Sequence, residues 1–391
     1  MSEASSVRLA RPELGDAELA QVAQVFASGQ LTLGAKLLEF ERAIAEATQS
    51  PFAIGCANGT AALHLALLAL DIGPGDEVVV PAYTFPATSN VVLACGATPV
   101  FCDVRSDCDV TDAALIERAL SPRTRAIMVV HLFGFPAGLR DILELATARD
   151  IPVIEDAAGA LGSIVDGAPA GSLGTMGCFS LHPRKIITTG EGGAVVTADR
   201  ALAERLRRLR HHGIGPDGFA DIGLNYRLPD ILAAIALPQL AQLESLVAER
   251  ERLAQQYDEA LEALPGIRPA PRPAQAGDRH SWQAYVSRVD DASKRDELIA
   301  AMRAGGVESQ VGTYCVPALT PYASRGFQAA ATPNAVAAAD SGIALPLYDG
   351  LTTDEQQRVI DCLERALTSV GLVPEQVGSG VDAPAASQSV R

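Results

Sequence analysis

The chain has 391 residues, long enough for a large interior, and its 48% apolar against 20% charged side chains exclude an intrinsically disordered protein. A formal net charge of −16 gives it a field that repels polyanions, which disfavours nucleic acid as a partner but leaves room for a small anion in a local basic pocket. The N-terminal MSEASSVRLARPELGD lacks the basic-then-apolar pattern of a secretory leader, and no apolar run approaches the ~20 residues of a membrane span. The expectation is a cytoplasmic enzyme without membrane contact.

In chain order, the spacing of Leu19, Val22, Val25 and Phe26, then of Leu37, Leu38, Phe40 and Ile44, predicts two helices joined by the loop SGQLTLG. Short apolar runs, most of them β-branched, follow at 76–83, 98–104, 125–134, 151–158, 177–182 and 192–197, separated by amphipathic stretches. That alternation predicts a mostly parallel sheet flanked by helices. A long helix over 242–264 leads into the proline-rich PGIRPAPRPAQAGD, which reads as a domain junction. Beyond it, a strand in WQAYVSRVD, a helix over 293–306 and a last helix over 353–370 predict a small α+β unit. The expected division is 1–245 for a large domain, 246–375 for a small C-terminal domain, and 376–391, PEQVGSGVDAPAASQSVR in its surroundings, for a disordered tail.

Seven cysteines without C-x-x-C spacing, and a His211-His212 pair whose rings cannot both turn to one ion, predict reduced, mostly buried thiols and no metal site. The lysines are more informative. There are only three, and Lys185 stands between an apolar run and a cluster of glycines in CFSLHPRKIITTGEGG. In CANGTAALHLALLAL, Asn58, Gly59 and Thr60 open an apolar helix, whose free N–H groups, hydroxyl and dipole suit an anion, to which Ser180 could add a second hydroxyl. In IPVIEDAAGALGS, Glu155 and Asp156 end an apolar strand, where alternation turns one acid into the ligand crevice and the other away. PAYTFPATSN places Tyr83 and Phe85 at another strand end, where a ring can stack on a flat cofactor or pack in the core. An anion cradle, a strand-end acid, a stacking ring and one isolated lysine are the parts that pyridoxal 5′-phosphate (PLP) needs. Partial burial, with Arg184 next to it, would lower the lysine's pKa, and the glycines after it would let backbone pass close to ring and phosphate.

These motifs, with GLNYRLPDILAAIALPQL and ALPLYDGLT, span nearly the whole chain and resemble the DegT/DnrJ/EryC1/StrS family of PLP-dependent sugar aminotransferases. The resemblance implies a fold-type-I aminotransferase, an α/β large domain with a small C-terminal α+β domain. It implies that Lys185 bonds the cofactor and moves protons, that Asp156 pairs with the pyridinium nitrogen and that Phe85 stacks on the ring. It further implies that Thr60, the backbone of Gly59 and Ala61, and Ser180 hold the phosphate, while Asn225 reaches the neighbouring subunit of a homodimer with shared active sites. The implied reaction moves an amino group from glutamate to a keto sugar, foremost a nucleotide-linked 4-keto-6-deoxy hexose. A keto-cyclitol acceptor and a PLP-binding regulator without turnover are the alternatives. His182 is expected to act on position, not on protons. Two features depart from the family pattern: Gly159 stands where a glutamine commonly contacts the cofactor's 3-hydroxyl, and QVGTYCVPAL leaves Tyr314 as the polar aromatic of a late loop.

Overall fold

The computed structural model describes residues 6–273 and 277–373, so the expected tail at 376–391 lies outside the described residues. Seven strands form the main sheet in the order Phe52–Cys56, Gly193–Thr197, Met176–Ser180, Val153–Asp156, Thr124–Val130, Glu77–Pro81, Thr98–Cys102. Gly193–Thr197 pairs antiparallel with both its neighbours, and the remaining pairings are parallel, so one strand alone runs against the others. The mostly parallel α/β sheet expected from the sequence is therefore present. Phe52–Cys56 was not among the predicted strands; FAIGC carries a single β-branched residue, and its strand state comes from five-residue register with Gly193–Thr197.

The sheet is buried on both faces, as parallel sheets covered by helices must be. One face packs against residues such as Phe40, Ile44, Leu228 and Leu240, and the other against the helix Gly59–Ala69. That helix is apolar nearly all round and accordingly sits inside, with Leu63, Leu65 and Leu67 at 2% exposure or less. Each such leucine contributes on the order of 2 kcal/mol of transfer free energy. Asn58 caps it, its Oδ1 accepting the Ala61 N–H at 2.8 Å, so the helix begins at the carboxyl end of Phe52–Cys56.

The two predicted N-terminal helices occur as Asp16–Ser28 and Ala35–Ala47, and the long helix as Leu243–Glu262. A second core gathers Leu253, Tyr257, Trp282, Tyr285, Leu298, Ile343, Val359 and Leu363 around an antiparallel sheet in the order Ile267–Arg268, Tyr285–Val289, Gly342–Leu345, Gln310–Val311. Val7 from the far N-terminal segment belongs to this core and bridges to Val307. Tyr314–Cys315 pairs antiparallel with Tyr83–Thr84, which ties the late loop to the loop after Glu77–Pro81. Among the described residues no single helix is long and apolar enough to cross a membrane; the helices Asp230–Ala241 and Leu243–Glu262 pass that test only as a pair bent by 64°.

Candidate active site

The carboxyl ends of the parallel strands face one cavity of about 650 Å³, where an open α/β sheet places its ligands. Gly59, Thr60, Phe85, Asp156, Ser180 and Lys185 line it together, although the chain brings them from four separate strand ends. Alternation separates the two acids as the sequence suggested. Asp156 is turned to the cavity and is 5% exposed. Its Oδ2 accepts the Thr88 hydroxyl at 2.7 Å and its Oδ1 the Ala158 N–H at 3.2 Å. Glu155 points to the other side, fully buried, where it accepts the N–H groups of Gly171, Leu173 and Gly174 at 2.5 to 2.8 Å. It also holds His131 Nε2 at 2.8 Å; His131 Nδ1 accepts the Ala137 N–H, which leaves Nε2 as the protonated nitrogen that donates to Glu155. Glu155 is thus a structural anchor for the loops beneath the site.

Burial raises the Asp156 pKa, against the opposing pull of the Thr88 hydroxyl, the Ala158 amide and the Lys185 charge. Burial also lowers the Lys185 pKa, and the Asp156 charge works against that. Arg184, expected to help, is not the cause: its side chain leaves the lysine and donates to Gln310 Oε1 at 2.7 Å. The Lys185 amine has no hydrogen bond or ion pair among the described residues, so a half-buried amine stands free beside a buried carboxylate. His182 braces the turn before it, its carbonyl accepting the Lys185 N–H at 2.8 Å and its Nδ1 the Arg184 N–H at 3.3 Å.

At the helix start, the Gly59 and Thr60 N–H groups have no partner among the described residues, whereas the Ala61 N–H is taken by Asn58. The Ala61 amide, expected to contact the phosphate, is thus engaged by Asn58, and the two preceding amides are open. A Cβ at Gly59 would lie 2.7 Å from the Ser180 Cβ, so only glycine lets the helix start approach the Ser180 strand closely enough to form one cradle. Phe85 is 64% exposed over the cavity, an unusual state for phenylalanine that a stacked ring would relieve. Gly190, Gly192 and Gly193 do not line the cavity; Gly193 instead passes closely against the backbone of Asn58. Asn225 is exposed, bridges to His211, and lies outside the cavity. Tyr314 sits beside Thr84 in the strand pair, 41% exposed.

Two residues escaped the sequence reading. Thr88 stands one residue inside the helix Ala87–Ala94, where its hydroxyl reaches Asp156 and lies 3.2 Å from Thr84 Oγ1, and nothing in PAYTFPATSN singles it out. Gln283 enters the cavity from the second core, and no local pattern announces it.

A cradle for a dianion, a buried carboxylate lacking a cation, a free amine and an uncovered ring fit PLP, and they define a PLP-dependent enzyme of the fold-type-I aminotransferase architecture. Residues 12–364 match the model of the DegT/DnrJ/EryC1/StrS aminotransferase family. The chain belongs to that family. It is 39% identical over 376 residues to the GDP-perosamine synthase of Caulobacter vibrioides, covering 94% of this chain and all of the relative. Among solved structures, the aminotransferase TlmJ of Streptoalloteichus hindustanus superposes with a TM-score of 0.87 at 34% identity, covering 93% of this chain and 99% of that one. Spr1654 of Streptococcus pneumoniae in its PLP-form superposes with a TM-score of 0.89 at 29% identity, with the same coverages. The protein is a PLP-dependent aminotransferase.

Proposed function

We propose that the protein transfers the amino group of glutamate to the ketone of a nucleotide-linked sugar, a 4-keto-6-deoxy hexose being the first candidate, and that it works in the cytoplasm as a homodimer. The observation that carries the reading is the free Lys185 amine facing Asp156 above the Gly59–Ser180 cradle, joined to near-complete alignment with a GDP-perosamine synthase. Bound PLP supplies an electron sink through which nitrogen leaves one carbon and enters another. Asp156 keeps a proton on the ring nitrogen, with Thr88 and Ala158 fixing its two oxygens. Lys185 Nζ, its pKa lowered by burial, takes a proton from the donor's α-carbon and returns one on the acceptor side. The amides of Gly59 and Thr60 and the hydroxyls of Thr60 and Ser180 hold the phosphate, and Phe85 covers the ring. Glutamate leaves as 2-oxoglutarate before the keto sugar enters, a ping-pong sequence. We also read 1–245 and 246–375 as two units, with Val7 packed in the second.

The test is spectroscopic. Purified protein should show the visible band of bound PLP, change it on addition of glutamate, and recover it with an accepted ketone; Lys185→Ala should show none of this. A panel of nucleotide keto sugars and inososes then decides the substrate. Recovery with an inosose alone would move the assignment to keto-cyclitols, and recovery with no ketone would point to a PLP-binding regulator.

A further inference from the structure

Gly159 lies three residues after Asp156 and lines the cavity without a side chain. The space is not empty. A Cβ at Gly159 would lie 2.9 Å from Gln283 Oε1, so the carboxamide of Gln283 occupies the volume that a side chain at 159 would need.

The segment that delivers Gln283 is held from several sides. Arg250, itself buried, donates to the Trp282 carbonyl at 3.1 Å and pairs with Asp349 at 3.0 Å. The Ser281 N–H donates to the Gly134 carbonyl at 3.3 Å, and the Ala284 N–H to the Phe133 carbonyl at 3.4 Å. Ser163 Oγ lies 2.7 Å from the Gly134 carbonyl and 2.8 Å from Ser281 Oγ. Gln283 is therefore placed over the loops that follow Thr124–Val130 and Val153–Asp156. Its Nε2 donates to the Arg184 carbonyl at 3.0 Å, next to Lys185. A carboxamide nitrogen carries two hydrogens, so one N–H remains for the cavity.

Sheet order gives that N–H a direction. The anion cradle stands at the ends of Phe52–Cys56 and Met176–Ser180, Asp156 stands in the middle, and Gln283 stands on the far side, over the Thr124–Val130 end. On the PLP ring the phosphate arm and the 3-hydroxyl flank the aldehyde carbon on opposite sides. With the phosphate in the cradle and the ring nitrogen on Asp156, the 3-oxygen faces Gln283.

We propose that Gln283 is a positioning residue: one N–H fixes the backbone beside Lys185, and the other hydrogen-bonds the 3-oxygen of PLP. The role that a side chain at 159 could take is thus filled from the second core. The proposal rests on the cofactor assignment above.

Three variants test it: Gln283→Met, which keeps length and loses the donor; Gly159→Gln; and the double variant Gln283→Ala with Gly159→Gln, compared with Gln283→Ala alone. The readouts are the PLP dissociation constant, the pH midpoint of the visible band, and thermal melting of the PLP-free protein. Gln283→Met removes both donors, so it should raise the dissociation constant about tenfold and move the midpoint upward, because an oxygen without its donor holds the lysine nitrogen's proton more firmly; loss of the bond to the Arg184 carbonyl alone would lower melting of the PLP-free protein without moving the midpoint. Gly159→Gln alone should bind PLP as poorly through the clash, and the double variant should recover both readouts. Wild-type values in Gln283→Met, or a double variant no better than Gln283→Ala, would overturn the role. A wild-type protein that takes up no PLP would overturn the cofactor assignment and this role with it.

Discussion

Burial shifts Lys185 and Asp156 in opposite directions, each towards its neutral form. The Lys185 pKa is depressed below its ordinary 10.5, so its favourable contribution to stability belongs to alkaline pH and is lost as pH falls through the depressed value. The Asp156 pKa is raised above 3.8, so its favourable contribution belongs to acid pH and is lost as pH rises through the raised value. In the PLP-free protein burial thus opposes ionisation of both groups, offset in part by the attraction between the two charges. Replacing both at once, Asp156→Asn with Lys185→Met, should stabilise the PLP-free protein by about 1–2 kcal/mol while abolishing transfer. Calorimetry at pH 7 checks it; an unchanged or lower melting temperature would mean that the attraction outweighs burial. Each single variant leaves the other group without its counter-charge, which offsets the gain.

Elements position the site through contacts that tolerate little added volume. Gly59→Ala sets a Cβ against Ser180 and should weaken PLP binding by at least about tenfold, with phosphate-free pyridoxal much less affected; equal loss for both ligands would remove the cradle from the explanation. Glu155→Gln replaces an acceptor of three amides and His131 by a group that must turn donors towards donors. It should cost about 3 kcal/mol in denaturant unfolding without removing the PLP band from the folded fraction. Much of this level could be read from the sequence, since EVVVP, TRAIMVV and VIED carry β-branched residues, and Tyr83, His131, Asp156 and Ser180 stand at or just past the ends of strands that the apolar runs predict. Strand alternation even separated Asp156 from Glu155 in kind, if not in name. What could not be read is whatever long-range pairing creates: the strand state of FAIGC, the Tyr314–Cys315 ladder to Tyr83–Thr84, Thr88 on Asp156, and Gln283 in the place of a side chain at 159.

At the scale of the whole molecule, Phe219 is 79% and Ile222 97% exposed, close in sequence to the exposed Asn225. Side chains this apolar are more at home against a second surface, and the proposed homodimer supplies one. If Asn225 completes the partner's site, Asn225→Ala and Lys185→Ala proteins should each transfer poorly alone. Mixed by co-expression, they should regain about a quarter of wild-type activity, because half of the dimers are hybrid and one of two sites in each is intact. Absence of any gain, with hybrid dimers demonstrated by sedimentation and mass, would confine the site to one chain.

Trp282 is the only tryptophan in the chain, fully buried, stacked on His280 at 3.8 Å with the Arg272 guanidinium 5.0 Å from its ring centroid, and adjacent to Gln283. All indole emission thus comes from one rigid point next to a residue that lines the cavity. The protein carries its own optical gauge: PLP absorbs where indole emits, so loading should dim a single lifetime component, and a glutamate-driven change in the cofactor's colour should alter that quenching in step. No label is needed to time the two half-reactions.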